Sequence, residues 1–148
     1  MQEFGLCTDP RGRSGHAIAD NFLGQTRWQY LASEREGAEY YAAVLERLAS
    51  TGAAGAYAWC YADYDPSLFD RPPLDTAVRE RSFGLVRSDG SEKPAADIFR
   101  QFRKRLNSGR VEQGTIPRTL DVSADEYYTA PRSHFDRLYA RWLADSTA

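Results

Sequence analysis

The chain has few of the residues that build disulfide frameworks and metal centres. Its 148 residues include two cysteines, Cys7 and Cys60, and two histidines, His16 and His134. Neither cysteine belongs to a CxxC pair and no spacing resembles a metal-ligand set, so we expect no metal and no cofactor. The cysteines are either two free thiols or, if their strands are neighbours, one disulfide.

Charge and hydropathy exclude further classes. The formal net charge of −2 lacks the basic footprint of a nucleic-acid partner. No segment has the roughly 18 consecutive apolar residues of a membrane span, so we expect no membrane partner. The length allows one domain with a sizeable core. The 13% aromatic content predicts either a well-packed core or a surface that stacks flat ligands.

The order of apolar and turn residues predicts a strand, a helix, a second strand and a second helix. These elements are predicted at residues 2–7, 25–50, 53–61 and 94–106. The segment 53–61 is almost wholly apolar, which predicts a strand buried on both faces of a parallel sheet. Two strands joined by a helix predict a right-handed βαβ unit with parallel neighbouring strands.

The remaining segments are predicted as long loops and a helical tail. Residues 8–24 and 62–81 are rich in turn residues and follow the two strands as loops. Residues 107–122 are predicted as a linker, and residues 123–148 as a helical tail with an amphipathic helix at 133–144. Its apolar stripe predicts inward-facing side chains at Phe135, Leu138, Tyr139 and Trp142. Because two strands do not make a stable parallel sheet alone, the predicted sheet looks incomplete.

A carboxylate and a tryptophan end the two predicted strands. Glu3 lies in the first strand, Trp59 ends the second, and a long loop follows each. Active sites of (β/α)₈ barrels lie at the carboxyl ends of the strands, so adjacent strands would place both residues in one pocket. Retaining glycosidases need a carboxylate nucleophile at the anomeric carbon, and a flat aromatic ring suits a sugar ring.

Three segments, taken in order, resemble the retaining β-glycosidases of the large (β/α)₈-barrel superfamily that includes cellulases and β-mannanases. Residues 2–5 (QEFG) resemble the end of the seventh barrel strand, and residues 55–59 (GAYAW) resemble the eighth strand. Residues 81–96 (RSFGLVRSDGSEKPAA) resemble the return to the final barrel helix. The resemblance implies that residues 1–106 are the C-terminal portion of a TIM-barrel glycosidase domain, with its last two strands and helices and a helical C-terminal appendage.

The resemblance also implies roles for single residues. Glu3 would be the catalytic nucleophile and Trp59 the platform for the sugar ring of a carbohydrate substrate. Further candidates for substrate binding are Tyr57, Tyr61 and His16. Polar residues near the expected pocket mouth, without an assigned role, are Glu80, Asp63 and Asp65.

The general acid/base of such an enzyme has no counterpart in the chain. In the family a second Glu follows an Asn at the end of the fourth strand, and it lies about 5 Å from the nucleophile in a retaining site. This chain has no Asn-Glu pair. We therefore expect a portion of a longer glycosidase that lacks the first six barrel strands and is inactive alone.

Two other interpretations stay open. The chain can be a non-catalytic carbohydrate-binding α/β module or accessory subunit, whose aromatic pocket binds sugar without cleaving it. It can also be a small α/β domain that shares these short motifs by chance. In that case Trp59 is a core residue and Glu3 is an exposed carboxylate at a fraying terminus.

Overall fold

The computed structural model describes residues 3–9, 11–22, 24–53, 55–111, 114 and 121–146. This part of the chain is mixed α/β, and the chain divides into two compact units, Met1–Ile116 and Pro117–Ala148. The strands and α-helices are β1 (His16–Phe22), β2 (Gln25–Leu31), α1 (Glu34–Ser50), α2 (Pro94–Asn107), α3 (Ala124–Thr129) and α4 (Pro131–Ser146). Two 3₁₀-helices span Pro66–Leu68 and Val78–Ser82. No helix in the described ranges combines the length and the apolar character that crossing a membrane requires.

Residues 16–31 form a β-hairpin, although the sequence predicts a loop followed by the start of a helix there. β1 and β2 pair antiparallel, from the His16–Leu31 pair to the Phe22–Gln25 pair. The loop prediction for 8–24 and the helix start at residue 25 are therefore wrong. β2 reads QTRWQYL, in which alternation and aromatic content favour a strand, so a signal was present.

Helix α1 begins and ends at local sequence signals. The Ser33 hydroxyl accepts the Glu36 N–H (3.2 Å), and the Glu36 carboxylate accepts the Ser33 N–H (2.7 Å), which makes a capping box. The helix stops before Gly52, whose φ of 70° is easily reached only by glycine, as the sequence predicts. The second predicted helix is also confirmed, since α2 opens at Pro94.

Two extended segments on either side of α1 run parallel to each other. The Phe4 N–H donates to the Tyr57 carbonyl (3.0 Å), and the Trp59 N–H donates to the Phe4 carbonyl (2.8 Å), so Phe4 pairs with Ala58. The two predicted segments are thus parallel neighbours, but through a single bridge, and none of the described residues of 3–7 and 55–61 belongs to a strand, so the predicted strands are wrong. The prediction that the second segment is buried on both faces is wrong, because Tyr57 is 72% exposed.

The core of the N-terminal unit lies between these segments and helices α1 and α2. The Phe4 ring meets the edge of Tyr41 with centroids 5.4 Å apart and stacks on Phe99 at 6.4 Å. Leu45 adds a buried aliphatic side chain to the same cluster. These rings supply much of the apolar area that holds the helices to the extended segments.

The segment that leads into α2 is held by two isolated pairings at Val86. Residue 62 pairs in parallel with residue 86, which also pairs antiparallel with residue 92. Between them the chain turns at Gly90, where φ is 84°. The turn brings the chain back to the start of α2.

The C-terminal unit contains helices α3 and α4. The Phe135 and Tyr139 rings stack with centroids 5.8 Å apart, but both are exposed, so their predicted inward orientation is wrong. The Trp142 side chain lies outside the described residues. So do residues 112, 113 and 115–120 of the predicted linker.

Candidate functional site

The parallel pairing sorts the side chains of the two extended segments onto opposite faces. Alternate residues of extended backbone point to opposite sides. Phe4, which is 8% exposed, and Ala58 pack towards the helices. Glu3, Tyr57 and Trp59 then lie on the other side, where Glu3 is exposed and Trp59 is 44% exposed. We call these three side chains the open face.

The backbone of Trp59 is closely held from two directions. A Cβ atom at Gly5 would lie 2.2 Å from the Trp59 carbonyl oxygen, so only glycine permits this approach. The Tyr41 hydroxyl donates to the same oxygen (3.4 Å). Burial raises the pKa of Tyr41 to about 12, which keeps the hydroxyl protonated as a donor at neutral pH. The Trp59–Cys60 peptide bond is cis.

Both cysteines of the chain are free thiols. Burial raises the pKa of Cys7 and of Cys60 above the ordinary thiol value. Both therefore remain protonated at neutral pH and are poor nucleophiles. Of the two options that the sequence left open, the structure shows the free thiols. Tyr61, which follows Cys60, is 76% exposed.

His16 lies at the beginning of β1, close to a buried carboxylate. Its Nε2 is 3.7 Å from Oδ2 of Asp9, whose side chain is inaccessible to solvent. Arg11 donates to both Asp9 oxygens, at 2.9 and 3.0 Å, and holds the pKa of that carboxyl below its ordinary value. Asp9 is thus a buried charge that holds the segment leading into β1, and the sequence analysis did not single it out.

Asp63 is the partner of a buried lysine. Lys93 Nζ donates to Asp63 Oδ1 (2.8 Å), the Thr8 hydroxyl (2.9 Å) and the Ser82 carbonyl (3.1 Å). The Gly84 N–H also donates to Asp63 (2.8 Å). Burial raises the pKa of Asp63, although the Lys93 hydrogen bond acts in the opposite direction. With these partners Asp63 joins the loop after Trp59 to α2 and is not available to a ligand.

The position of Lys93 in the sequence already indicates that it has a carboxylate partner. It is the N-cap residue of α2, and a cation is unfavourable at the positive end of a helix dipole. A lysine in that position, just before Pro94, indicates a specific carboxylate partner elsewhere in the chain.

The other two polar candidates have local partners. Asp65 accepts the Ser67 N–H (2.8 Å) and caps the 3₁₀-helix Pro66–Leu68, and this hydrogen bonding lowers the Asp65 pKa. Glu80 pairs with Arg79 at 3.1 Å. Both carboxylates are thus engaged in shaping the loop that follows Trp59.

A cleft of about 680 Å³ lies between the hairpin and this loop. The Asn21 N–H donates to the Thr76 carbonyl (3.1 Å), and buried Asp20 pairs with Arg79, so the two walls are joined. We call it the loop cleft. Its polar and aromatic lining is Asn21, Tyr64, Arg71, Thr76, Arg79 and Glu80.

By alternation, Glu3, Tyr57 and Trp59 thus share the side of the paired segments that faces away from the helices. Tyr61 follows Trp59 by two residues, and the remaining predicted residues lie on the segments that follow. Within the paired stretches 3–5 and 57–61, Glu3 is the only carboxylate. An exposed carboxylate on the same side as two exposed aromatic rings offers a nucleophile for an electrophilic carbon and flat surfaces for a sugar ring. The chain has no match among protein-family models, curated proteins or solved structures.

Proposed function

We propose that the open face binds a pyranose ring of a β-linked glycan and that Glu3 is the nucleophile of a retaining β-glycosidase site. One observation supports the proposal: Phe4 pairs with Ala58, so by alternation exposed Glu3, Tyr57 and Trp59 lie on the side away from the helices. The aromatic rings offer flat surfaces to the apolar side of a sugar, and the carboxylate lies one residue from the pairing point.

The chemistry assigned to Glu3 is double displacement. A carboxylate oxygen attacks the anomeric carbon and forms a glycosyl ester, while the bond from that carbon to the leaving oxygen breaks. The leaving oxygen keeps the electron pair and takes a proton from a general acid, and water later hydrolyses the ester. We propose that this acid/base belongs to further barrel strands of the glucan- or mannan-cleaving glycosidase that the sequence resembles.

A second candidate function is sugar binding without cleavage. It is favoured because Glu3 is the only carboxylate in the paired stretches 3–5 and 57–61. Without a second carboxyl group about 5 Å away, the open face binds a glycan and does not cleave it. The chain would then be a carbohydrate-binding module or an accessory subunit. The two functions share the aromatic platform and differ in whether Glu3 reacts.

A substrate with an activated leaving group separates the two. The probes are 2,4-dinitrophenyl 2-deoxy-2-fluoro-β-glucoside and the corresponding mannoside, because dinitrophenolate departs without protonation and the fluorine slows hydrolysis of the ester. We expect intact-mass spectrometry to show one added fluoroglycosyl group, which peptide mapping locates at Glu3. Glu3→Gln is expected to stay unlabelled.

A binding titration with β-linked gluco- and manno-oligosaccharides completes the test. We expect Trp59→Ala to weaken binding, while Trp28→Ala, at a 77% exposed tryptophan of β2, leaves binding unchanged. Trp59-dependent binding without a label on Glu3 favours the binding module over the nucleophile. If the chain shows neither binding nor labelling, the proposal is wrong.

A further inference from the structure

The loop cleft is lined by one arginine that forms no ion pair with the residues that the structure describes. Three of its lining residues are charged, and two of these form a chain of ion pairs in which Arg79 contacts both Asp20 and Glu80. The third, Arg71, is exposed, and its guanidinium has no hydrogen bond or ion pair with any residue that the structure describes. The cleft therefore carries a guanidinium fork that is free to bind an anion.

The rest of the lining suits a sugar ring. The Tyr64 ring is 42% exposed and offers a flat surface. The Asn21 side-chain amide can donate to and accept from sugar hydroxyl groups, and the Thr76 hydroxyl, which donates to the Pro73 carbonyl (3.5 Å), can accept from one. The cleft volume lies within the range of small-molecule sites.

The cleft also lies close to the open face along the chain. Tyr64 follows Tyr61 by three residues, so their Cα atoms are at most about 11 Å apart. Trp59 is five residues away, which allows at most about 18 Å. These upper bounds on the Cα separations correspond to the length of a few sugar units.

We infer that the loop cleft binds a carboxylate-bearing pyranose, a uronic acid unit of the same glycan. Arg71 pairs with its carboxylate and the Tyr64 ring packs on its apolar face, since a guanidinium fork matches a carboxylate with two parallel hydrogen bonds. The inference rests on the proposed sugar binding by the open face, and it names the substrate class as an acidic glycan.

The charge of the lining favours a monoanion over a phosphate group. A phosphate dianion is typically held by several cations or by a helix N-terminus. Here Arg71 lines the cleft together with the Glu80 carboxylate, and Asp70 and Asp75 flank Arg71 in the sequence, so a second negative charge on the ligand is repelled. A single carboxylate matches this balance.

The test compares two tetrasaccharides that differ in one group. The acidic probe is a β-linked tetrasaccharide with one glucuronic acid unit, and the neutral probe is its carboxyl-reduced counterpart. Both are titrated into the ¹⁵N-labelled full chain and followed by amide chemical shifts. We expect the wild type to bind the acidic probe about tenfold more tightly, as one charge-assisted bidentate contact allows. We also expect the amide signals of Asn21 and Thr76 to shift.

Substitutions assign the preference to one side chain. We expect Arg71→Ala to abolish the preference while the neutral probe binds as before, and Arg71→Lys to retain part of it. Arg103→Ala is the control, because Arg103 is another exposed arginine, it lies on α2 outside the cleft, and its loss changes the net charge equally. Arg103→Ala is expected to keep the full preference.

The possible failures can be told apart. Equal affinity of the wild type for both probes, with Trp59-dependent binding retained, overturns the acidic-glycan inference and leaves the proposed function standing. A preference that survives Arg71→Ala overturns the assignment to the loop cleft. No binding of either probe overturns this inference together with the sugar binding on which it rests.

Discussion

Replacing Lys93 by methionine tests how the loop after Trp59 is held to helix α2. Methionine keeps the length of the side chain and removes the charge and its three donors. Asp63 is then left as a carboxylate that is only 6% exposed, with the Gly84 N–H as its remaining hydrogen-bond donor. The Thr8 hydroxyl and the Ser82 carbonyl lose their contacts with the ammonium group as well.

The magnitude follows from burial. Removing one partner of a buried ion pair costs about 3–5 kcal/mol, because an uncompensated charge stays behind. The side chains of Lys93 and Asp63 are 2% and 6% exposed, so the full penalty applies. For a unit of this size we expect a fall in melting temperature of roughly 10–20 °C.

Urea unfolding followed by circular dichroism measures the effect, in a double-mutant cycle of Lys93→Met and Asp63→Asn. Each single variant leaves a buried group unpaired, so the double variant is expected to be less destabilised than the sum of the two. Arg35→Met is the control, since the Arg35–Glu39 pair is 88% and 65% exposed and contributes at most about 0.5 kcal/mol. A Lys93→Met loss below about 1 kcal/mol, or strictly additive singles, would refute the reasoning.

The same variant has a pH signature. Burial already raises the pKa of Asp63, and the loss of Lys93 removes the contact that lowers it, so the folded-state value rises further. A carboxyl group whose pKa is raised in the folded state contributes its full stability below the ordinary pKa of 3.8. That contribution is lost as the pH rises through the folded-state pKa. The Lys93→Met deficit should therefore grow from acidic to neutral pH, and a deficit independent of pH would contradict this account.

Two further substitutions test the capping box and the close approach at Trp59. The Tyr30 hydroxyl donates to Glu36 (2.6 Å) and holds its pKa near 2, below the ordinary 4.5, so Glu36→Gln should lower the melting temperature at pH 7. The difference in melting temperature between the wild type and Glu36→Gln should disappear as the pH falls from 4.5 through 2. A difference that stays constant across this range, measured by thermal unfolding, would count against the hydrogen bond. Gly5→Ala should destabilise the fold and change the near-ultraviolet dichroism of Trp59, because the new Cβ overlaps its carbonyl oxygen. Gly55→Ala, whose Cβ meets nothing within 4 Å, is the control, and equal stability of the two variants would contradict the argument.

The helices of the N-terminal unit were predictable because their signals are local. Gly52 and Pro94 mark a helix end and a helix start within one turn of the chain. The side of each segment on which Glu3 and Trp59 lie follows from backbone alternation, whereas the Phe4–Ala58 pairing that joins the two segments links residues far apart in the sequence. The helix end and the helix start need no knowledge of distant residues.

The hairpin was missed although β2 carries a local strand signal, because β1 carries a weak one, and the buried ion pairs were missed because their partners lie far apart along the sequence. β1 contains alanines with weak strand preference, and it is held through Asp20 by Arg79, which follows 59 residues later. Asp63 and Lys93 are 30 residues apart, and nothing in either local pattern shows that both are buried. The polar network becomes visible only when the chain is folded.

The two faces of the extended segments separate stability from ligand binding. Phe4 and its ring contacts supply apolar burial on the helix side, while the exposed rings of Tyr57 and Trp59 contribute little of it. Truncating an open-face side chain should therefore leave the fold intact, so a loss of sugar binding in such a variant reports a lost contact. Gly5 differs, because it acts on the Trp59 backbone from within the pairing. A change there alters the platform and the fold together, and for that reason it cannot replace Trp59→Ala as a test of binding.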